Sequence, residues 1–193
     1  RTPLDWFADR WNMEVAPGYL LFDMISRFLS PYQFNPLNYN PLLDVLDQEV
    51  DFELVRRCDQ VRLFISATNV RTGKIRVFEN AELTPEAVMA SACLPHIFQA
   101  VEIDGDPYWD GGYMGNPAIF PLIYNCESRD AVIVQINPIE RPETPTTTPE
   151  ILDRLNEITF NSTLMREMRA IHFVGKLLAE HKVDPDRYKR MLL

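Results

Sequence analysis

The spacing of apolar residues divides the chain into a helical first third, a strand-rich middle and a long helix near the end. Residues 18–30 carry apolar side chains three and four positions apart, which predicts an amphipathic helix that ends at Pro31. After a loop with three prolines and three asparagines, residues 42–50 and 52–58 are predicted as short helices. We therefore expect residues 1–60 to be helical and rich in aromatic side chains.

The middle of the chain changes to a strand pattern. Residues 61–70 form a continuous apolar run that is typical of a buried strand, and residues 75–79 alternate like a partner strand. Residues 83–93 then predict a helix with Thr84 as its N-cap. The order strand, strand, helix indicates that the sheet core of the domain begins at residue 61.

Two short predicted strands, at 98–103 and 107–109, flank the dipeptide Asp104-Gly105. Asp-Gly between alternating apolar residues strongly favours a tight hairpin turn. Because the turn lies there, Asp110 follows the second strand and is not itself part of the hairpin turn.

The last third of the chain contains one more apolar run and one long helix. Residues 131–137 are predicted as a central parallel strand, and a proline-rich loop follows them. A helix with Thr148 as its N-cap is expected to run over residues 148–182. Its apolar positions fall on one stripe: Ile151, Leu155, Ile158, Met165, Met168, Ile171, Val174 and Leu178.

These elements predict an α/β fold, organised as a three-layer α/β/α sandwich around a mostly parallel central sheet. The sheet core would span residues 61–137 of one domain over residues 1–193. Ligands in such sheets gather beyond the carboxyl ends of the strands. The segments that follow predicted strands are 68–73, 110–117 and 137–141, so candidate chemistry is expected there.

Charge and composition exclude several classes of partner. The chain has a formal net charge of -9, a pI of about 4.8 and a normal charged fraction of 24%. Nucleic acid and anionic membrane surfaces would repel it on average, so we expect no nucleic-acid partner. The short basic stretches at 55–57 and 186–190 are interpreted as solvated faces.

Cysteine and histidine usage predicts no metal, no cofactor and a reducing, cytoplasmic location. Cys58, Cys93 and Cys126 are far apart and odd in number, which argues against a disulfide framework. Cys93 and His96 could form a ligand pair, but with no further ligand nearby we favour a packing role. No apolar run is long enough to span a bilayer. The chain starts at Arg1 without methionine and shows no stop signal, so we expect it to be one part of a longer protein.

Asp110 is the candidate catalytic residue, and it has two interpretations. Asp-Gly is common in turns, where the carboxylate accepts hydrogen bonds from nearby backbone N–H groups. However, the hairpin turn is already assigned elsewhere, and Gly111, Gly112, Gly115 and Pro117 suggest a backbone that approaches another group closely. Either a structural turn or a catalytic carboxylate fits this pattern.

The order of these motifs resembles that of the patatin-like phospholipase family. In both, a strand that ends in Ala-Thr is followed by a turn and then by a helix. The helix ends in a stretch of small residues, after which come a proline and an aromatic residue. A short hairpin and the motif Asp-Gly-Gly follow. The residues that carry the resemblance are Ala67-Thr68, Ala90-Ser91-Ala92, Pro95, Phe98, Asp110-Gly111-Gly112, Asn116 and Pro117. It covers residues 61–137 best, and the chain looks like the C-terminal part of a bacterial-type member.

The resemblance implies a serine lipid acyl hydrolase with a Ser–Asp dyad, in which Asp110 is the base and Gly111 and Gly112 support it. The substrate would be a lipid or other acyl ester, without cofactor or metal. Trp109, Tyr113 and Met114 are the expected walls that would desolvate the Asp110 carboxylate and raise its proton affinity.

The sequence also departs from the family pattern, because it contains no Gly-x-Ser-x-Gly. None of the serines at positions 26, 30, 66, 91, 128 and 162 has the flanking glycines that a nucleophile turn needs. Ser91 lies in a predicted helix, where packing explains it better than nucleophilic catalysis. The alternative is therefore a lipid- or protein-binding fragment without catalysis, or a structural module whose Asp-Gly-Gly is only a turn.

The aromatic first region also has two interpretations. It could be a lid over an acyl-chain site that makes transient contact with a membrane interface. The alternative, ordinary core-packing helices, is the one we favour.

Overall fold

The structure, a computed structural model, describes residues 28–184. The helices are α1 (Pro31–Phe34), α2 (Pro41–Glu49), α3 (Phe52–Arg57), α4 (Pro85–Ser91), α5 (Phe120–Asn125) and α6 (Thr148–Ala179). The strands are β1 (Phe64–Asn69), β2 (Ile75–Glu79), β3 (Val101–Ile103) and β4 (Asp106–Asp110). Short 3-10 turns cover Asn80–Glu82 and Gly111–Tyr113. Residues 1–27, which hold most of the helix predicted over 18–30 and the first part of the candidate lid, lie outside the described residues.

The four strands form one sheet in the order β2-β1-β4-β3, and every neighbouring pair is antiparallel. Helices pack against it, so the α/β class is confirmed for this part of the chain. The prediction of a mostly parallel sheet is wrong for the described residues. The physical reason is the shortness of the β1–β2 and β3–β4 connections, since a parallel pair needs a crossover of a dozen or more residues.

The predicted central strand at 131–137 is also wrong, because the structure forms no strand there. Val132, Val134 and Ile136 are 93%, 83% and 90% exposed. An apolar run has a high preference for a buried strand, but a strand also needs a partner for its backbone groups. No backbone hydrogen bond joins residues 131–137 to any other residue in the range 28–184.

The hydrophobic core lies between helix α4 and the sheet. Its buried members are Ala67, Phe78, Leu83, Ala87, Ala90, Cys93, Val101 and Tyr108. Helix α4 begins as predicted: Thr84 is the N-cap, its side chain accepts a hydrogen bond from the Ala87 N–H, and Pro85 opens the helix. The alanines on its inner face let the helix approach β1 closely, which fixes the end of α4 near the end of β4.

The hairpin β3–β4 has its turn at the predicted dipeptide. Asp104 and Gly105 have φ angles of +54° and +82°. Two consecutive left-handed residues are the signature of the tight turn whose twist matches that of the flanking strands. Asp110 therefore lies at the far end of β4 from the hairpin turn, as the sequence predicts.

Replacing Gly105 with alanine should lower the free energy of unfolding by about 1–2 kcal/mol, because left-handed φ is costly for a residue with a Cβ. Space is not the cause, since an added Cβ would meet nothing within 4 Å. Gly175→Ala is the matched control: its site in α6 is equally open, and there alanine should stabilise by about 1 kcal/mol. Urea unfolding midpoints measure both changes. A shift of the two midpoints in the same direction relative to the wild type would contradict the prediction.

The long helix is confirmed, with two corrections. Its N-cap is Thr147 rather than Thr148, and a capping box joins Thr147 and Glu150. The predicted apolar stripe is the packed face only in part, because Leu178 is buried whereas Ile151, Leu155 and Ile158 are about half exposed. The other buried residues of α6 are Asn161, Thr163 and Leu164, which the stripe does not include. The packed face contains polar residues because it forms hydrogen bonds with backbone groups: Thr163 accepts from the Asn116 N–H, and Asn161 donates to the Pro138 carbonyl.

Candidate active site

Asp110 is the last residue of β4, and its backbone is held from two sides. Its N–H donates to the Cys93 carbonyl at 2.9 Å, which ties it to the end of α4. Its carbonyl accepts from the Thr68 hydroxyl at 2.8 Å, and Asp110 is opposite Ala67 in the β1–β4 pairing. These contacts fix the point from which the Asp110 side chain leaves the sheet.

The Asp110 carboxylate is half-buried and caps the turn that follows it. Oδ1 accepts a hydrogen bond from the Gly112 N–H at 2.7 Å. Oδ2 accepts no hydrogen bond from any residue in the described part of the chain. The turn interpretation thus explains one carboxylate oxygen, and the other oxygen is left available to a ligand or to water.

Burial raises the pKa of the Asp110 carboxyl above its ordinary value, and the hydrogen bond from the Gly112 N–H opposes that rise. Burial and the nearby Asp110 charge raise the pKa of Tyr113 too. Of the three walls predicted from the sequence, Tyr113 interacts with Asp110, Trp109 packs against the core, and Met114 is 40% exposed. Met114 is thus the most exposed of the three predicted walls.

Both glycines of the motif are required by their surroundings. A Cβ on Gly111 would overlap the carbonyl group of Ser66 in β1 and come within 2.6 Å of the Ser66 Oγ. A Cβ on Gly112 would overlap the Phe160 ring, with Cδ1 at 2.6 Å. The motif therefore lets the turn lie between the sheet and α6.

Asp110 borders two adjoining cavities. One, of about 310 Å³, is a groove lined by Ser66, Ser91, Gly115 and Pro117 among others. The second, of about 240 Å³, lies between Asn116, the extended segment 133–137 and the α6 residues 160, 161 and 164. A half-buried carboxylate with one free oxygen, facing space large enough for a ligand, is the arrangement expected of a general base.

A model of the family described as patatin-like phospholipase matches residues 5–123, more than half of the chain. This chain belongs to the patatin-like phospholipase family. The match includes β1 to β4, Asp110 and both motif glycines, and it confirms the resemblance. Family membership indicates lipid acyl hydrolase activity and a lipid substrate. None of the curated proteins compared with the chain matches it.

Two serines of this patatin-like chain reach the groove at Asp110. Ser66 lies on β1 and Ser91 at the end of α4. The Ser91 hydroxyl donates to the Val88 carbonyl at 2.7 Å, an ordinary bond within a helix, in keeping with its assignment to packing. Neither serine has the glycine-flanked turn of a nucleophile, so no serine among the described residues offers Asp110 an activated hydroxyl.

The predicted ligand pair of Cys93 and His96 does not form in the described part of the patatin-like chain. Cys93 is fully buried, its Sγ donates to the Gln99 carbonyl, and burial raises the pKa of its thiol to about 11. His96 is exposed, so it does not join Cys93 in a ligand pair. Within residues 28–184, no group of three or more His, Cys, Asp or Glu side chains could hold a metal ion. No helix in this same range has both the length and the apolar character needed to cross a bilayer.

Sequence reasoning missed three residues of α6 that contact the segment after Asp110. The Phe160 ring lies against Gly112, the Thr163 hydroxyl accepts from the Asn116 N–H, and the Glu167 carboxylate accepts from the Ile119 N–H. No local signal could have found them, since Phe, Thr and Glu are ordinary residues of an amphipathic helix. Their partners are about 47 positions earlier in the chain.

Proposed function

We propose that Asp110 is the general base of a Ser–Asp dyad in a lipid acyl hydrolase, and that the nucleophilic serine is supplied by a polypeptide segment outside these 193 residues. One observation carries the proposal: a half-buried carboxylate at a strand end, with Oδ2 free and two cavities beside it. The family membership supplies the reaction class.

In this reaction the Asp110 carboxylate accepts the proton of the serine hydroxyl while the serine oxygen attacks the ester carbonyl. Asp110 then returns the proton to the leaving alcohol, which leaves an acyl-serine. In the second half Asp110 takes a proton from water, the resulting hydroxide attacks the acyl-serine, and the proton returns to the serine. Partial desolvation helps both halves, since it raises the proton affinity of a carboxylate that would otherwise be a weak base.

The position of the serine also has a structural argument. Residues 133–137 border the cavity at Asp110, yet Val132, Val134 and Ile136 are exposed. No backbone–backbone hydrogen bond joins residues 131–137 to the rest of the described chain. We propose that a strand from outside the chain pairs with this segment and brings the serine to Asp110, within the mostly parallel three-layer sandwich that the resemblance implies. We also propose that the chain is the C-terminal part of a bacterial-type patatin-like domain, as the resemblance of its motifs implies.

A serine-directed fluorophosphonate probe tests the proposal on the protein isolated from its native source. We expect a single labelled serine, flanked by glycines and located outside residues 1–193, because an activated hydroxyl reacts and ordinary hydroxyls do not. Peptide mapping identifies the site. Heat-denatured protein is the control for labelling that does not depend on the fold.

Two other outcomes would contradict the proposal in different ways. Labelling of Ser66 or Ser91 would show that the groove contains its own nucleophile. No labelling of the folded protein would favour the alternative, a non-catalytic lipid- or protein-binding fragment, which the lack of a glycine-flanked serine already supports.

A cytoplasmic location with transient contact to a lipid interface completes the proposal. It is supported by three cysteines without disulfides and by exposed apolar residues near the start of the described chain: Phe28, Tyr32, Leu37 and Tyr39. The lid role of residues 1–60 stays a prediction.

A further inference from the structure

Helix α6 contacts the backbone after Asp110 through three residues on one face. We call Phe160, Thr163 and Glu167 the α6 ladder, because their spacing of three and four places them one above another along the helix. Among the elements formed by residues 28–184, the 3-10 turn Gly111–Tyr113 is also the one against which α6 packs most extensively. The ladder follows the chain in order, from Gly112 through Asn116 to Ile119.

The first contact is steric. The Phe160 ring lies where a Cβ of Gly112 would be and packs on the Tyr113 ring, with centroids 5.0 Å apart. The ring therefore limits how far Gly112 can move away from Asp110.

The second contact is a hydroxyl with a fixed direction. Thr163 Oγ1 donates to the Phe160 carbonyl at 3.2 Å, which leaves its lone pair to accept the Asn116 N–H at 3.1 Å. Thr163 is 3% exposed, so this bond is protected from water. An isosteric valine would leave the Asn116 N–H without its partner.

The third contact is a carboxylate. Glu167 Oε2 accepts the Ile119 N–H at 2.7 Å, and Ile119, as the N-cap of α5, has no side-chain oxygen to cap the helix itself. Burial raises the pKa of Glu167, and the Ile119 and Phe120 N–H groups oppose that rise. Glu167 thus caps α5 from a different helix and fixes where the segment after the motif ends.

We propose that Thr163 and Glu167 are positioning residues for Asp110, which hold the segment from Gly112 to Ile119 so that the Gly112 N–H stays on the Asp110 carboxylate. This inference rests on the proposed role of Asp110 as a base. The Gly112 bond orients Oδ1, and so decides which way the free oxygen Oδ2 points into the cavities. If Asn116 and Ile119 lose their acceptors, two of the three ladder contacts are lost and the Phe160 ring remains against Gly112.

The test uses NMR of the 193-residue chain and needs no substrate. Thr163→Val and Glu167→Met should each speed exchange of the Gly112 amide proton about fivefold, the change expected for one hydrogen bond of ordinary strength. The Gly112 amide chemical shift should change as Asp110 titrates, and in both variants this change should be about half as large as in the wild type. A merely structural role would speed exchange of the Phe78 core amide equally and leave that titration signature unchanged.

Matched variants complete the test. Thr159→Val makes the same chemical change one turn earlier, where the hydroxyl donates only to the Leu155 carbonyl, and should leave Gly112 unchanged. Thr163→Ser and Glu167→Gln keep an acceptor oxygen and should restore most of the wild-type behaviour. Wild-type exchange and titration of Gly112 in either folded ladder variant would overturn the role of that residue. The NMR measurements do not involve turnover, so they test the positioning role of Thr163 and Glu167 separately from the role of Asp110 as a base. Either proposal can be rejected while the other is retained.

Discussion

Asp110→Asn should lower kcat/KM for ester hydrolysis by the intact protein by a factor of about 10²–10⁴, the range that a general base contributes. Asparagine keeps an oxygen that can accept the Gly112 N–H, so the turn survives. It cannot accept a proton from serine. Turnover of a short-chain acyl ester measures the loss.

The same substitution should raise the free energy of unfolding at neutral pH. A loss of activity in this variant would therefore not be a consequence of unfolding. The pKa of Asp110 is raised by burial in the folded state, so the group favours folding below its unfolded pKa, and this contribution is lost as pH rises through the folded pKa. Asparagine carries no charge at any pH, so the variant does not lose this contribution to the free energy of unfolding as pH rises. For the wild type, the acid limb of kcat/KM should lie at higher pH than an ordinary aspartate would give, because the base must be deprotonated.

Asp106→Asn is the matched control, since it makes the same change at the other end of β4. Its carboxylate pairs with Arg71 at the surface, where such pairs contribute little, and it should leave turnover within about twofold. Full activity of Asp110→Asn, or an acid limb that the substitution does not remove, would reject Asp110 as the base.

Gly111→Ala should destabilise the fold by about 3 kcal/mol, at the upper end of the cost of overpacking. The added Cβ meets the backbone carbonyl of Ser66, which cannot rotate away as a side chain can. To accommodate it, β1 and the turn after β4 must separate. The urea unfolding midpoint measures the effect.

Gly112→Ala provides the contrast, since its obstacle is the Phe160 ring. The double variant with Phe160→Leu should recover part of the stability lost in Gly112→Ala, whereas Ser66→Ala should recover little in Gly111→Ala because the carbonyl remains. A Gly111→Ala protein within about 1 kcal/mol of wild type would show that the turn does not press against β1.

Local patterns predicted the parts of the fold that depend on local chemistry. Strand β2 has the predicted bounds, Thr84 caps α4, and the turn at Asp104-Gly105 leaves Asp110 at the opposite end of its strand. The alternation of apolar and polar residues, helix capping and left-handed φ each depend on a few neighbouring residues, so they can be predicted directly from the sequence. The motif around Asp110 was recognisable for the same reason.

Features that depend on distant partners were not predictable in this way. The run at 131–137 reads as a buried strand, yet no described residue pairs with it. The apolar stripe of α6 predicts the packed face only in part, because Thr163 and Glu167 accept hydrogen bonds from N–H groups about 47 residues earlier in the chain. Hydrophobic periodicity states which side chains favour burial, but it does not state what will cover them.

The exposed run at 131–137 has a consequence for the behaviour of the chain at high concentration. The sequence AVIVQIN has no charge, proline or glycine, and its valines and isoleucines favour extended pairing between identical molecules. A net charge of -9 keeps separate copies apart at low ionic strength, and salt screens that repulsion. Concentrated, salty solutions therefore favour fibrillar stacking through this segment, and a lysine at Val134 would act as a gatekeeper against it.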